Sequence, residues 1–292
     1  MQRGFRWLVI FVLGSLLVSG CQFLGTGGNE MDSHPLGAGF RYSSYGPPYN
    51  PGPDYWVSVG QQMAGKFEGA VPQGIWILST IHGEGTFANF PTGIESPYIL
   101  DSPVDGNEAI LTLFDEQGVQ VWLQVEPGMA PVEDLIHALL KQYGHHPSVI
   151  GVGVDVEWYQ SSGAPEGKPV SDEEARAWVT AARSHGEQYR VFLKHWEIGW
   201  MPPTERDGLV FIDDSQEFDT LDDMIAEFEE WGEAFAPAPV GFQFGYRADK
   251  PWWGEFDDPP ATIGNAILEA VPNTEALYWV DFTVLEVFPP TK

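Results

Sequence analysis

The chain has 292 residues, of which 43% are apolar and 14% aromatic, so it can form a full hydrophobic core and is not a disordered acidic tail. Its 42 acidic and 14 basic side chains give a formal net charge of −28, which disfavours binding to nucleic acid or to an anionic membrane surface. The single cysteine, Cys21, excludes an internal disulfide and a zinc–cysteine site. This length and composition predict one large α/β barrel or two ordinary domains.

The chain begins with the features of a secretory signal. Arg3 and Arg6 precede an apolar stretch, 7–18, that is too short for a comfortable transmembrane span and is followed by small residues. The segment 17–21, LVSGC, resembles the lipobox of bacterial lipoproteins. That resemblance implies cleavage before Cys21, which becomes the lipidated N-terminus of the mature protein. The alternative is a plain signal peptide that contains a cysteine.

Three segments are predicted along the chain. Residues 1–20 form the lipoprotein signal peptide, and residues 21–53, rich in Gly, Pro, Ser and Asn, form a flexible tether. Residues 54–292 form the folded domain. We expect an extracytoplasmic protein that is attached to a bacterial membrane through its N-terminal lipid alone.

After Pro53, apolar runs typical of strands alternate with amphipathic helical patterns, as in parallel α/β folds. The predicted strands are 74–82, 119–126, 149–157, 189–196, 208–215, 239–246 and 276–282. The predicted helices are 107–117, 131–143, 171–185, 220–235 and 260–270. Ser171 and Glu174 have the spacing of a capping box at the start of one of these helices.

The short run 85–90 is the candidate for an eighth strand, which would complete a single (β/α)8 TIM barrel. The second choice is an open, doubly wound sheet. That fold typically has a Gly-x-Gly-x-x-Gly loop after its first strand, and the sequence lacks this loop. The sequence therefore favours the barrel.

Polar side chains stand at the end of nearly every predicted strand, where TIM barrels carry their active residues. We expect the following strand-end residues to bind substrate: His82, Gln124, Lys194, His195, Gln243, Tyr246, Trp279 and Asp281.

The strand 149–157 carries the strongest candidate for catalysis. Its alternation places Gly151, Gly153, Asp155 and Glu157 on the face that lines the barrel interior. The glycines are expected to leave the lower interior open, with the two carboxylates about 6.6 Å apart along the strand at the mouth. Adjacent carboxylates raise each other's pKa, so one of them is a candidate general acid. The alternative is a carboxylate pair that is neutralised by Lys194 on the neighbouring strand.

The segment 151–157, GVGVDVE, resembles the second half of the Asp-Gly-x-x-Asp-x-Asp-x-Glu signature of family-18 chitinases, which ends on the fourth barrel strand. By that resemblance Glu157 is the proton donor and Asp155 its partner. The segment 244–246, FGY, and Trp279 are loosely similar to the sixth-strand tyrosine and the floor tryptophan of that family.

The sequence also departs from this signature, because Ile150 and Gly153 stand where it has aspartates. Family-25 lysozymes, which are barrels with an Asp-x-Glu strand end, are the second choice. Glu126 or Asp214, each on an inward strand face, is the candidate second carboxylate. A separation near 5 Å would indicate a retaining nucleophile and about 6.5–9.5 Å an inverting base. In the chitinase-like route, an N-acetyl group of the substrate attacks the anomeric carbon, so neither a nucleophilic nor a basic second carboxylate is needed.

Tryptophans near the predicted strand ends are typical of sugar binding, because their flat rings stack on the apolar faces of sugars. Together with Trp279, we expect Trp158, Trp196, Trp252 and Trp253 to bind substrate. The pair Trp252-Trp253 is predicted to form an exposed platform in a loop.

These features predict a monomeric glycoside hydrolase, anchored at the cell envelope, that cleaves an extracellular neutral or N-acetylated polysaccharide with Glu157 as general acid. No cofactor and no metal are expected. A non-catalytic glycan-binding lipoprotein is the first alternative, and a metal-dependent barrel hydrolase is the second. The metal ligands in that case would be His82, Glu84, His195, Asp213 and Asp214, although the first strand lacks the usual His-x-His. His145 and His146 are interpreted as structural residues at the barrel bottom.

Overall fold

Eight parallel strands close into a barrel in the computed structural model, which describes residues 34–161 and 167–290. The strands in the described ranges are β1 (Gly37–Tyr42), β2 (Val71–His82), β3 (Gly85–Ala88), β4 (Ile99–Asp101), β5 (Gln120–Val125), β6 (Val149–Asp155), β7 (Arg190–Lys194), β8 (Leu209–Asp213), β9 (Val240–Phe244) and β10 (Thr274–Val280). The helices there are α1 (Pro53–Ala64), α2 (Glu108–Gln117), α3 (Val132–Tyr143), α4 (Asp172–Arg183), α5 (Leu221–Phe235), α6 (Lys250–Trp253), α7 (Pro259–Ala270) and α8 (Val284–Val287).

The barrel strands are ordered β1-β10-β9-β8-β7-β6-β5-β2, and parallel pairing of β1 with β2 closes the ring. The predicted single (β/α)8 TIM barrel is therefore confirmed. The segment 149–157 contains the fourth barrel strand, β6, which is fourth because β1 precedes the predicted strands and not because 85–90 supplies one. Ser171 and Glu174 form the predicted capping box at the start of α4.

The prediction that 85–90 supplies the eighth barrel strand is wrong. This segment contains β3, which pairs antiparallel with the end of β2, and β4 pairs with β3 outside the barrel. Two residues connect β2 to β3, and a connection this short can join antiparallel strands but not parallel ones.

The first barrel strand is β1, which lies inside the segment predicted to be a flexible tether, so the folded domain begins before residue 54. Phe40 of β1 is fully buried and packs on Trp56 of α1, with ring centroids 5.0 Å apart. A Cβ atom at Gly39 would lie 1.7 Å from the carbonyl oxygen of Gln73, so this close approach of two strands requires glycine. The two glycines of β1, Gly37 and Gly39, therefore allow close packing of two strands.

The predicted signal peptide and Cys21 lie outside the described residues. Within the described residues, no helix has both the length and the apolar character needed to cross a membrane.

Apolar side chains fill the lower barrel interior, contrary to the expectation that its glycines leave it open. A Cβ atom at Gly153 would lie 2.0 Å from the ring of Phe192, and one at Gly151 would lie 2.4 Å from the ring of Trp122. The glycines therefore make room for these two aromatic rings. The interior cluster consists of Ile75, Ile77, Trp122, Phe192, Val210, Ile212, Ala276 and Tyr278. The polar strand-end residues lie above this layer, at the mouth.

Candidate active site at the barrel mouth

The end of β6 presents two carboxyl groups at the mouth. Asp155 is the last residue of the strand, and a 3-10 turn, Val156–Trp158, carries Glu157 directly after it. The side chain of Asp155 is 3% exposed and that of Glu157 is 19% exposed. Glu157 is thus the member of the pair that can meet a ligand from solvent.

Lys194, at the end of the neighbouring strand β7, joins these carboxyl groups to a third one. Its Nζ lies 3.0 Å from Asp155 Oδ2, 3.4 Å from Glu157 Oε2 and 2.5 Å from Asp214 Oδ2. Since Glu157 and Asp214 contact the same nitrogen, their two oxygens lie within about 6 Å of each other, closer than the carboxyl groups of an inverting pair. The structure therefore brings these four predicted site residues together.

The electrostatics of this cluster raise the pKa of two of its acids, Asp155 and Glu157. Burial raises the pKa of Asp155 well above its usual range, although Lys194 opposes the shift. Burial also raises the pKa of Glu157; Lys194 again opposes, and Asp214 adds to the increase. Burial acts to lower the pKa of Lys194, but the three carboxylates outweigh it and raise that pKa well above its usual value. Lys194 therefore stays charged while the acids compete for protons.

Glu126, the other candidate second carboxylate, is 2% exposed and already bound on one oxygen. Its Oε2 accepts hydrogen bonds from the Tyr45 hydroxyl at 2.5 Å and from the Ile81 N–H at 2.9 Å. Burial raises its pKa. Tyr45, 53% exposed, lies over this carboxyl, so Asp214 is better placed than Glu126 to pair with Glu157.

Arg41 supplies a second buried cation that the sequence analysis missed. Its guanidinium lies 2.9 Å from Asp281 Oδ1, while the other oxygen of Asp281 accepts hydrogen bonds from the N–H and hydroxyl of Ser43. Asp281 is fully buried, so it holds Arg41 and does not face a ligand as predicted. The sequence does contain a pattern that could have identified Arg41 as a strand-end residue. Gly37-Ala-Gly39-Phe-Arg41 has the same glycine spacing as the segment that ends at Asp155 on β6.

Two glutamines and a tyrosine complete the buried polar layer. Gln124 Nε2 donates a hydrogen bond to Asp155 Oδ2 at 3.0 Å, and the Tyr246 hydroxyl donates to Gln243 Oε1 at 3.5 Å. Tyr246 follows β9, which is the seventh barrel strand. It therefore lies one strand later than the sixth-strand tyrosine of chitinases, so this part of the resemblance is wrong in position.

Two tryptophans expected to bind substrate are buried behind the barrel wall. Trp279 is fully buried and donates to Thr283, while Trp253 is 3% exposed and donates to the carbonyl of Tyr246. Trp252 and Trp253 lie in helix α6, and Trp252 donates to the carbonyl of Phe218, so the predicted loop platform is wrong. Alternation alone could not assign Trp279, because β10 is apolar on both faces.

Trp158 and Trp196 remain partly exposed beyond the strand ends. Trp196 stacks on the buried ring of His195, with centroids 4.2 Å apart and an interplanar angle of 25°. Trp158 directly follows Glu157, and both indoles keep part of their surface exposed near the strand ends.

The residues proposed for metal-dependent hydrolysis do not converge among the described residues. His82 is exposed at the turn between β2 and β3. His195 Nδ1 accepts a hydrogen bond from the N–H of Glu197, and Asp213 is fully buried and accepts one from the N–H of Ser215. The described residues at the mouth thus form an acid-rich site that contains two cations, Lys194 and Arg41.

Comparisons with known proteins agree with this fold. No family model matches the chain, and no curated protein sequence matches it. A solved structure of a candidate alpha-L-fucosidase from Bacteroides thetaiotaomicron is similar, with a TM-score of 0.53 and 11% identity over 94% of this chain and 91% of that one. A Bacteroides uniformis beta-glucuronidase has a TM-score of 0.49 and 13% identity over 84% of this chain and 30% of that one. At 11% identity, the similarity to the first of these structures shows the TIM-barrel fold alone.

Proposed function

We propose that the protein is a glycoside hydrolase that cleaves a neutral or N-acetylated polysaccharide, with Glu157 as general acid. The observation that carries this proposal is the position of Glu157, a partly exposed carboxyl group with a raised pKa, close to a second carboxylate at the barrel mouth. The fold that the chain shares with a candidate alpha-L-fucosidase is compatible with a sugar substrate.

The short separation of Glu157 and Asp214 favours a retaining mechanism. Glu157 gives its proton to the glycosidic oxygen as the bond from that oxygen to the anomeric carbon breaks, and an oxygen of Asp214 bonds to the same carbon. Glu157, now ionised, then takes a proton from a water molecule whose oxygen displaces Asp214. The substrate-assisted chitinase-like route is the alternative within the same site.

Lys194 fits both halves of this reaction. Its contact with Asp214 holds the nucleophile in position in the free enzyme. Once Asp214 has formed an ester, the charge of Lys194 acts on Glu157, whose pKa falls as its role changes from acid to base. Asp155 and Gln124 hold the cluster in place through their buried hydrogen bond.

The direct test is release of reducing ends from a panel of neutral and N-acetylated polysaccharides by the full-length chain. We expect Glu157→Gln to lower the rate by about 10² to 10⁴-fold, the usual contribution of a general acid. The matched control is Glu227→Gln on α5, because burial also raises the pKa of Glu227 outside the mouth. Unchanged hydrolysis by Glu157→Gln would refute the assignment.

One observation favours a second candidate function, non-catalytic glycan binding. Lys194 contacts three carboxylates, as it would in a structural charge network. A protein of this kind would bind the same polysaccharides with equal affinity as wild type and as Glu157→Gln, and neither would release reducing ends.

We also propose that a lipid on Cys21 anchors the protein to a bacterial membrane, on the resemblance of LVSGC to a lipobox. The wild-type chain expressed in a bacterium should sediment with membranes, whereas Cys21→Ser should not. Equal sedimentation of both would contradict lipid anchoring.

A further inference from the structure

A second cluster of polar side chains lies at the opposite end of the barrel, before β6 begins. Glu108 is the first residue of α2, and His145 and His146 lie between α3 and β6. One ligand atom from each of these three residues lies within 4.8 Å of the other two. The sequence analysis treated both histidines as structural, and the proposed hydrolase mechanism does not use them.

The two imidazole rings are held by their Nδ1 atoms. His146 Nδ1 lies 2.6 Å from Asp115 Oδ2, and His145 Nδ1 lies 3.1 Å from the carbonyl oxygen of Gln142. A carbonyl oxygen and a carboxylate oxygen accept hydrogen bonds, so each Nδ1 carries the proton. This arrangement leaves a lone pair on each Nε2, as in histidines that ligate metals.

Both Nε2 atoms point at the same carboxylate oxygen. Glu108 Oε1 lies 3.1 Å from His145 Nε2 and 3.4 Å from His146 Nε2. Two imidazole nitrogens and a carboxylate oxygen therefore face one another, and this is a donor set that binds metal ions. Moreover, His146 is 3% exposed, and its Nε2 makes no hydrogen bond to any described residue.

The spacing fits a tetrahedral metal ion. Metal–ligand bonds of about 2.0–2.1 Å at tetrahedral angles place neighbouring ligand atoms about 3.3–3.4 Å apart. The separations from Glu108 Oε1 to the two Nε2 atoms, 3.1 and 3.4 Å, match this value. We propose that Glu108, His145 and His146 bind a divalent transition-metal ion of the zinc type.

The surroundings support this metal site. One oxygen of Asp115 orients His146, and the other accepts a hydrogen bond from the N–H of Ser148 at 2.9 Å. Asp115 thereby links His146 to the start of β6. Three protein ligands leave a fourth position for water or a further ligand. His145 and His146 also line a cavity of about 320 Å³ that Arg190 and Glu275 border at the barrel bottom. The bound ion would therefore link α2 to the segment before the fourth barrel strand and would face this cavity.

The test is titration of the metal-free full-length chain with ZnCl2 by calorimetry. We expect one Zn²⁺ per chain, with a Kd of about 1 μM or tighter, and a higher Tm in its presence. Glu108→Gln and His145→Ala should each weaken binding at least tenfold. The side chains of both residues are more than half exposed, so these variants should fold normally.

The matched control is His137→Ala, because His137 is an exposed histidine whose Nδ1 lies 2.9 Å from the Nε2 of His185 on the neighbouring helix. It should bind Zn²⁺ as the wild type does. Bound Co²⁺ should give the intense visible absorption of a tetrahedral site, and Glu108→Gln should lose it. The proposal is overturned if the wild type binds no stoichiometric Zn²⁺, if Glu108→Gln and His145→Ala bind it normally, or if His137→Ala abolishes binding.

Discussion

The two ends of strand β6 differ in how their clustered polar groups are balanced. At the mouth, Asp155 and Glu157 have the charged amine of Lys194 within contact distance. At the bottom, the Nε2 atoms of His145 and His146 face the carboxylate of Glu108, and no lysine or arginine among the described residues forms an ion pair there. The two clusters therefore differ in whether a lysine lies among the carboxyl groups, and this difference is why we propose a sugar site at the mouth and a metal site at the bottom.

The largest expected effect comes from removing the balancing charge at the mouth. Lys194→Met leaves three carboxyl groups without their cation in a site where the lysine side chain is 7% exposed. We expect a loss of about 3–5 kcal/mol in the free energy of unfolding at neutral pH, measured by urea denaturation.

The control for this variant is Lys168→Met, because Lys168 pairs with Glu174 at the surface and its side chain is 46% exposed. That pair should contribute less than about 1 kcal/mol. A similar small loss for both variants would show that Lys194 does not balance the mouth carboxylates.

A smaller effect is expected in the dependence of stability on pH. Burial raises the pKa of Glu126, Asp155 and Glu157, so the folded protein binds protons at these groups more tightly than the unfolded chain. Their contribution to stability is fully present below the unfolded carboxyl pKa of about 4 and is lost as pH rises through the raised values. We therefore expect the Tm to increase when pH is lowered from 8 to about 5.

The contribution of Glu174 to stability changes with pH in the opposite direction. Burial acts to raise its pKa, but hydrogen bonds from Lys168 and Ser171 outweigh this and lower the pKa to about 2. Its contribution is present above the unfolded pKa and is lost as pH falls towards 2, so the Tm should decrease below about pH 4. Differential scanning calorimetry at several pH values checks both predictions. Glu157→Gln should weaken the dependence of Tm on pH between pH 8 and 5, and Glu174→Gln should weaken the decrease of Tm below about pH 4. A Tm that decreases steadily from pH 8 to 5 would contradict the raised pKa values.

Local patterns in the sequence predicted the barrel and the mouth carboxylates. The alternation of valine with Gly151, Gly153 and Asp155 identified β6, and the spacing of Ser171 and Glu174 identified the start of α4. These features depend on residues close together in the chain, which is why the sequence alone was sufficient for them.

Contacts between distant segments could not be predicted in this way. The first strand was missed because Gly37 and Gly39 suggest flexibility until the carbonyl of Gln73 is placed beside them. The hydrogen bond from Tyr45 to Glu126 crosses 81 residues, and the one from Ser43 to Asp281 crosses 238. The approach of Glu108 to His145 has the same origin, since the pairing of β5 with β6 brings the segment after α2 beside the segment before β6.

The most direct test of the central claim, that Glu157 is the general acid at the mouth, compares two leaving groups. A general acid is needed to expel a sugar hydroxyl but not an acidic phenol such as dinitrophenol. Glu157→Gln should lose polysaccharide cleavage while still releasing dinitrophenol from an aryl glycoside in the first turnover at close to the wild-type rate. Equal losses on both substrates, or no loss on either, would contradict the role of Glu157 as the acid.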